Sequence, residues 1–164
     1  MSSRVVEILH EEHLATVALI DRLIEMIGTS GGRRPASMDS AFARSLREAT
    51  TAFGEELGRH FDFEEKPLFE LLANDGEEEI IAQLLAEHAA IRPIAAKLSA
   101  IGVSALDSGF TDTSWIEYRT VAAELCALLR THIEIEERTL LPLLEESLDA
   151  DADTQLYAEY AGNL

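Results

Sequence analysis

HFDFEEKPLFELL, residues 60–72, carries His60 and, four residues on, Glu64. On a helix, positions i and i+4 lie on one face about one turn apart. The imidazole and the carboxylate then point the same way, as two metal ligands do. The phrase returns as HIEIEERTLLPLLE, residues 132–145. Both copies read His, apolar, acid, apolar, Glu, Glu, base: His60-Phe61-Asp62-Phe63-Glu64-Glu65-Lys66 and His132-Ile133-Glu134-Ile135-Glu136-Glu137-Arg138. One such phrase is weak evidence for a site. Two of them make a duplicated half-site.

Outward from these phrases, apolar residues recur at three- and four-residue spacing, and no stretch alternates as a strand does. The pattern predicts four long helices. The first runs from Arg4 to Ile27 and is closed by Gly28. The second runs from near Asp39 to Asn74-Asp75-Gly76. The third runs from Glu77 to Ile101, with Gly102 as its stop. The fourth runs from Trp115 to Leu148, with Thr113 or Ser114 as its N-cap. GTSGGRRP and VSALDSGFTDTS read as loops, and DADADT reads as a linker to a short amphipathic tail, QLYAEYAGNL. Pro67, Pro93 and Pro142 fall inside helical patterns, where each removes a backbone hydrogen bond and is expected to bend its helix.

The repeat extends to the other two helices. Leu9, Glu12, His13 and Leu23 recur at the same offsets as Leu84, Glu87, His88 and Leu98. The chain therefore reads as all-α, an up-down-up-down four-helix bundle of two pseudo-equivalent halves with a short C-terminal helical tail. At ~1.5 Å per residue, His13, His60/Glu64, His88 and His132/Glu136 fall within roughly one turn of a single level. Phe63, Glu64, Pro67 and Leu71 share the face of His60. Leu125, Leu128, Leu129, Glu136, Leu140 and Leu143 share that of His132. Glu137 is rotated ~140° from His132, so Glu136 is the preferred inward carboxylate.

Carboxylates on core faces are costly unless paired. Two of them at one level with four imidazoles can be satisfied together by metal. Six such groups exceed the four that close a tetrahedral zinc site. They suit two ions, each with two histidines and both carboxylates bridging. Nitrogen and oxygen ligands without thiolate favour iron or manganese by type. His10 reads as a surface residue or one standing just outside the site. Residues 1–148 form the bundle, and residues 149–164 form the linker and a short C-terminal helix that packs on the metal end.

With 164 residues the chain is one domain, long enough to bury about two-thirds of its unfolded surface. Its single cysteine, Cys126, excludes an internal disulfide, reads as a packing residue and favours a reducing compartment. The N-terminus lacks the pattern of a signal peptide, and no apolar run approaches the ~20 residues that span a bilayer. A cytoplasmic, soluble protein is expected. The net charge of −18 argues against nucleic acid and anionic membranes as partners. No protein partner is evident.

The phrases LHEEH, HFDFEEKPLFELL, LLAEHAAI and HIEIEERTLLPLLE look like the four ligand segments of the hemerythrin-like (HHE cation-binding) domains, which the chain resembles over about residues 5–148. The resemblance implies a non-heme di-iron centre with an oxo or hydroxo bridge, held by His13, His60, Glu64, His88, His132 and Glu136. No catalytic residue is implied beyond the metal centre. The oxygen-carrying members have a second histidine four residues after the third-helix ligand, where this chain has Arg92. They also use an Asp five residues after the last histidine, where this chain has Glu137. These departures point away from reversible oxygen carriage and toward turnover of hydrogen peroxide, oxygen or nitric oxide, with catalase- or peroxidase-like detoxification foremost. The alternative is a non-enzymatic oxygen- or iron-binding sensor or carrier. Ferritin-type storage uses Glu-x-x-His on two helices, and only Glu7/His10 fits that spacing. Tyr157 and Tyr160 in the tail are candidates for an extra ligand or a lid.

Overall fold

The computed structural model describes residues 3–162, with the side chain of Ser30 excepted. Five helical rods account for most of them, and no strand occurs among the described residues. They are α1 (Arg4–Gly28), α2 (residues 40–74), α3 (Glu78–Ser108), α4 (residues 112–147) and α5 (Ala150–Ala161). Short polar side chains begin four of the five. Ser3 accepts from the Val6 N–H, and Asp39 accepts from the Ala41 and Phe42 N–H groups. Thr111 and Ser114 cap each other reciprocally, and Asp149 accepts from the Asp151 and Ala152 N–H groups. Each cap satisfies donors that the first turn leaves orphaned.

Helix α1 packs on α2, α4 and α5, α2 packs on α3, and α3 packs on α4. The core is divided in two. One apolar cluster gathers Leu19, Ile20, Leu46, Phe53, Phe61, Ile91, Tyr118 and Leu129. The other gathers Val5, Leu9, Phe63, Leu68, Phe69, Leu84, Leu140 and Tyr160. Along each of the four long rods the histidine falls where one cluster gives way to the other. The buried polar residues therefore form a layer between two apolar blocks.

Several boundaries differ from the sequence reading. Helix α3 does not stop at Gly102 but continues to Ser108, and Gly109 ends it at φ 78°. Gly102 is a packing residue: a Cβ there would run into the Thr50 hydroxyl on α2. Likewise, a Cβ on Gly54 would lie 2.5 Å from the Ser99 hydroxyl on α3. These two glycines let α2 and α3 approach closely. Most of the expected second loop is thus helix, and the N-cap of α4 is Thr111 rather than Thr113 or Ser114. Helix α3 also runs unbroken through Pro93. By length and composition it is apolar enough to cross a bilayer, although polar residues interrupt its apolar ones and leave no continuous run. It nevertheless buries Ile81, Leu84, His88, Ile91, Ala95 and Leu98 within the protein.

The largest departure lies in the two repeated phrases. A π-helical turn replaces the α-helix at Glu64–Leu68 and again at Glu136–Leu140. A π turn takes up one extra residue, so every face beyond it is displaced. The core residues downstream are Leu68, Phe69 and Leu72 in α2, and Leu140, Leu141 and Leu144 in α4. Pro67, Leu71 and Leu143, which ideal α-periodicity places inward, are only partly buried. Leu128 is 36% exposed. Pro67 lies inside the π turn at Glu64–Leu68, and Pro142 lies two residues past the end of the one at Glu136–Leu140.

The expected six-residue linker is two residues long. Asp149 caps α5, and Asp151 and Asp153 lie in its first turn, where the helix dipole favours acids. Asp153 ties α5 to the start of α1. It accepts from the Ser3 hydroxyl at 2.5 Å, from the Val5 N–H at 3.0 Å and from the Arg4 N–H at 3.0 Å. Burial alone would raise its carboxyl, but these hydrogen bonds outweigh burial and hold it below the usual Asp range. A carboxyl depressed in the folded state stabilises above its unfolded pKa, ~3.9, and loses that contribution as pH falls through the folded value. Replacing Asp153 by Ala is expected to cost about 1–2 kcal/mol at pH 7. The loss should shrink as pH falls through the depressed folded-state value, where Asp153 of the parent takes up its proton. Urea unfolding at pH 7 and along a descending pH series measures both.

Candidate metal centre

Each long helix brings one imidazole to the polar layer, and α2 and α4 each add a carboxylate. Side chains of His13, His60, His88 and His132 are 4%, 10%, 1% and 2% exposed, while those of Glu64 and Glu136 are fully buried. The structure brings the six residues together as two overlapping groups. His13, His60, Glu64 and Glu136 offer ligand atoms within 4.8 Å of one another, and so do Glu64, His88, His132 and Glu136. Each group contains two histidines, and both share the same two carboxylates. Either group could hold a metal ion.

The outer nitrogens show how the rings are held. His13 Nδ1 lies 2.6 Å from Glu137, His60 Nδ1 2.6 Å from Glu12, His88 Nδ1 2.9 Å from Glu65, and His132 Nδ1 2.7 Å from Glu87. A carboxylate only accepts, so each Nδ1 is assigned the proton. The four supporting acids sit beside four of the inward residues: Glu12 beside His13, Glu65 beside Glu64, Glu87 beside His88, and Glu137 beside Glu136. Each helix therefore steadies the histidine of the next one in chain order, and α4 returns to α1. The sequence reading assigned these acids no role. The signal was present in the doublets Glu12-His13, Glu64-Glu65, Glu87-His88 and Glu136-Glu137.

With Nδ1 protonated, a neutral imidazole presents a lone pair at Nε2. His13 Nε2 is 3.1 Å from Glu136, His60 Nε2 3.2 Å from Glu64, and His132 Nε2 3.0 Å from Glu136. His88 Nε2 lies 3.4 Å from Glu64 and 3.1 Å from His132 Nε2. The four oxygens of Glu64 and Glu136, together with His13 Nε2, are buried without a hydrogen-bond partner. Lone pairs thus converge with nothing positive between them. That arrangement calls for cations.

Without a cation, the two carboxylates draw protons onto the imidazoles instead. Burial alone would lower the His60 imidazole, but the Glu64 charge and the Glu12 hydrogen bond raise it well above the usual histidine value. His88 is depressed by burial and raised more strongly by Glu136 and Glu64, to about 9. Burial would raise the Glu136 carboxyl, yet contacts from His13, His132 and His88 hold it well below the carboxylate range. Packing adds rigidity: the Phe61 ring stacks on His88 with centroids 3.8 Å apart, and Phe69 lies on it at 5.8 Å.

The remaining residues singled out in the sequence stand around this layer. His10 is largely exposed and meets Glu137 at 2.9 Å. Arg92 binds Asp62 at 2.9 Å and Glu65 at 3.0 Å, so the side chain four residues after His88 braces a supporting acid. A guanidinium has only donors and cannot ligate a cation. The Tyr160 hydroxyl donates to Glu12 at 2.7 Å, one step outside His60, and its ring stacks on Phe63 at 4.1 Å. Tyr157 lies under the Arg4 guanidinium at 3.9 Å. Cys126 is buried, and burial pushes its thiol up to about 11, which leaves it unreactive. Replacing Glu87 by Gln is expected to weaken metal binding by ~10–100-fold, because the imidazole loses its orienting acceptor. Competition with a chromogenic chelator reads the change.

An all-helical fold around a buried histidine–carboxylate layer that could hold metal ions defines the class. The hemerythrin HHE cation binding domain model matches residues 4–144, and the chain belongs to that family. A comparison with curated proteins finds no match.

Proposed function

We propose that the chain is a di-iron protein that turns over a small oxidant, hydrogen peroxide foremost, within an up-down-up-down four-helix bundle. The family binds small ligands such as oxygen and typically holds iron. His13, His60, Glu64, His88, His132 and Glu136 would hold the ions. When bound, two iron ions supply redox chemistry with small oxidants. The protein's own contribution is orientation and dryness. Glu12, Glu65, Glu87 and Glu137 fix the imidazole rings and aim each Nε2 inward. Phe61 and Phe69 close the His88 side to water. The observation that carries the reading is the pair of fully buried carboxylates whose four oxygens lack partners. Arg92 supports turnover over carriage, since it braces Glu65 where a histidine would add a ligand.

Metal analysis of the purified protein, followed by oxygen evolution from hydrogen peroxide, tests the proposal. About two iron ions per chain are expected, with activity lost in His60→Ala and Glu64→Ala. A reversible spectral change with oxygen and little turnover would replace this reading with that of a carrier or sensor.

A further inference from the structure

We propose that a cavity beside the polar layer binds an amphipathic carboxylate, with its apolar chain along the inner wall and its carboxylate on Arg44 and Arg47. The cavity measures about 510 Å³ and ends at His13, His60, His132 and Glu136. A peroxide-sized molecule needs little more than the ~30 Å³ share of one water. The space instead matches the ~300–1,000 Å³ of pockets that take larger organic ligands.

The walls are graded. Leu19, Phe53, Leu57, Phe61 and Ile133 make the deep part apolar. Four arginines, residues 22, 44, 47 and 59, line the outer part. The whole chain has only 13 basic residues against 31 acidic ones, so four at one mouth run against its overall charge. Arg22 is neutralised by Glu48 at 2.7 Å, and Arg59 faces Tyr160 and Glu12. Glu56 also lines the cavity and offsets one charge. Arg44 and Arg47 are exposed and have no ion-pair or hydrogen-bond partner among the described residues. They are three residues apart on α2, which puts both guanidiniums on one helix face, within reach of one carboxylate.

A third observation concerns the wall itself. Helix α2 contains an earlier π turn, Ala52–Glu56, with no proline and no residue of the metal layer. Ala52, Phe53 and Glu56 from it line this cavity. Such turns recur where a helix is reshaped around a functional site. The other two π turns begin at Glu64 and Glu136. This one shapes the cavity.

Calorimetric titration of the metal-free, full-length chain with decanoate tests the site, with decanol and acetate as the chain-only and charge-only probes. The cavity ends at four of the proposed metal ligands, but Arg44 and Arg47 stand apart from them, so decanoate binding and metal content are read separately and either can fail without the other. One decanoate per chain is expected, bound at least about tenfold more tightly than decanol or acetate. Arg44→Glu with Arg47→Glu should weaken decanoate by at least about tenfold, and so should Thr16→Phe, which fills the cavity from α1. Far-UV circular dichroism monitors folding. If Thr16→Phe misfolds, Ala52→Leu fills the opposite wall and carries the same expectation. Equal affinity for decanol and decanoate, or decanoate binding untouched by the charge reversal, would overturn the proposal. Decyl phosphate binding where decanoate fails would overturn the carboxylate assignment.

Discussion

Stripping the loaded protein of metal is expected to lower its melting temperature by on the order of 10 °C. A ligand present at a thousand times its dissociation constant stabilises by ~4 kcal/mol. A chain of this size shifts by ~2–4 °C per kcal/mol. The effect is large because Glu64 and Glu136 are fully buried side by side and their oxygens have no hydrogen-bond partner. Without metal, the compensating charge falls to protons on imidazoles such as His60 and His88, which the carboxylates hold above the usual range. Melting curves before and after chelation, with metal content measured on both samples, give the answer. Unchanged melting after complete removal would mean that the layer is satisfied without cations.

Replacing Glu136 by Ala should cost more than replacing any single histidine. Glu136 belongs to both four-residue groups and contacts His13, His88 and His132. Its loss is expected to take metal content from about two ions per chain to about none and to abolish turnover. His13 belongs to one group only. His13→Ala should therefore keep about one ion, held by the His88/His132 side. Equal metal loss in the two variants would show that the ions bind as an inseparable pair, and intact metal in Glu136→Ala would remove this residue from the ligand set.

The helices and the candidate ligands were legible in the sequence for different reasons. Helix periodicity and the duplicated phrase drew attention to His60, Glu64, His132 and Glu136, because four-residue spacing survives up to the point where the π turns begin. Beyond Glu64 and Glu136 an ideal 100° step still finds Leu140 but cannot anticipate an inserted residue, so it sets Leu71 and Leu143 inward in place of Phe69 and Leu141. Gly102 was misread as a stop because a glycine serving close helix contact and one ending a helix look alike until the partner, here Thr50, is known. Asp149, Asp151 and Asp153 looked like a linker through their charge. Their position at the start of α5, with Asp153 facing the backbone of α1, turns the same charge into helix-starting and docking groups. The supporting acids were hidden for a further reason: each serves a histidine on another helix, so no local spacing reveals the pairing.

That pairing has a repeat unit of half a chain. Residues before Gly76 supply an acid for their own second histidine (Glu12 to His60) and one for the first histidine of the other half (Glu65 to His88). Residues after it do the same, with Glu87 to His132 and Glu137 to His13. No link in the circuit depends on the covalent connection between the halves. The chain can therefore be cut at Gly76 and rejoined end to start, or mimicked by two copies of its first half, without removing any class of contact from the centre. In the wiring of these four acids the chain is two equivalent halves, and the loop at Gly76 is their seam.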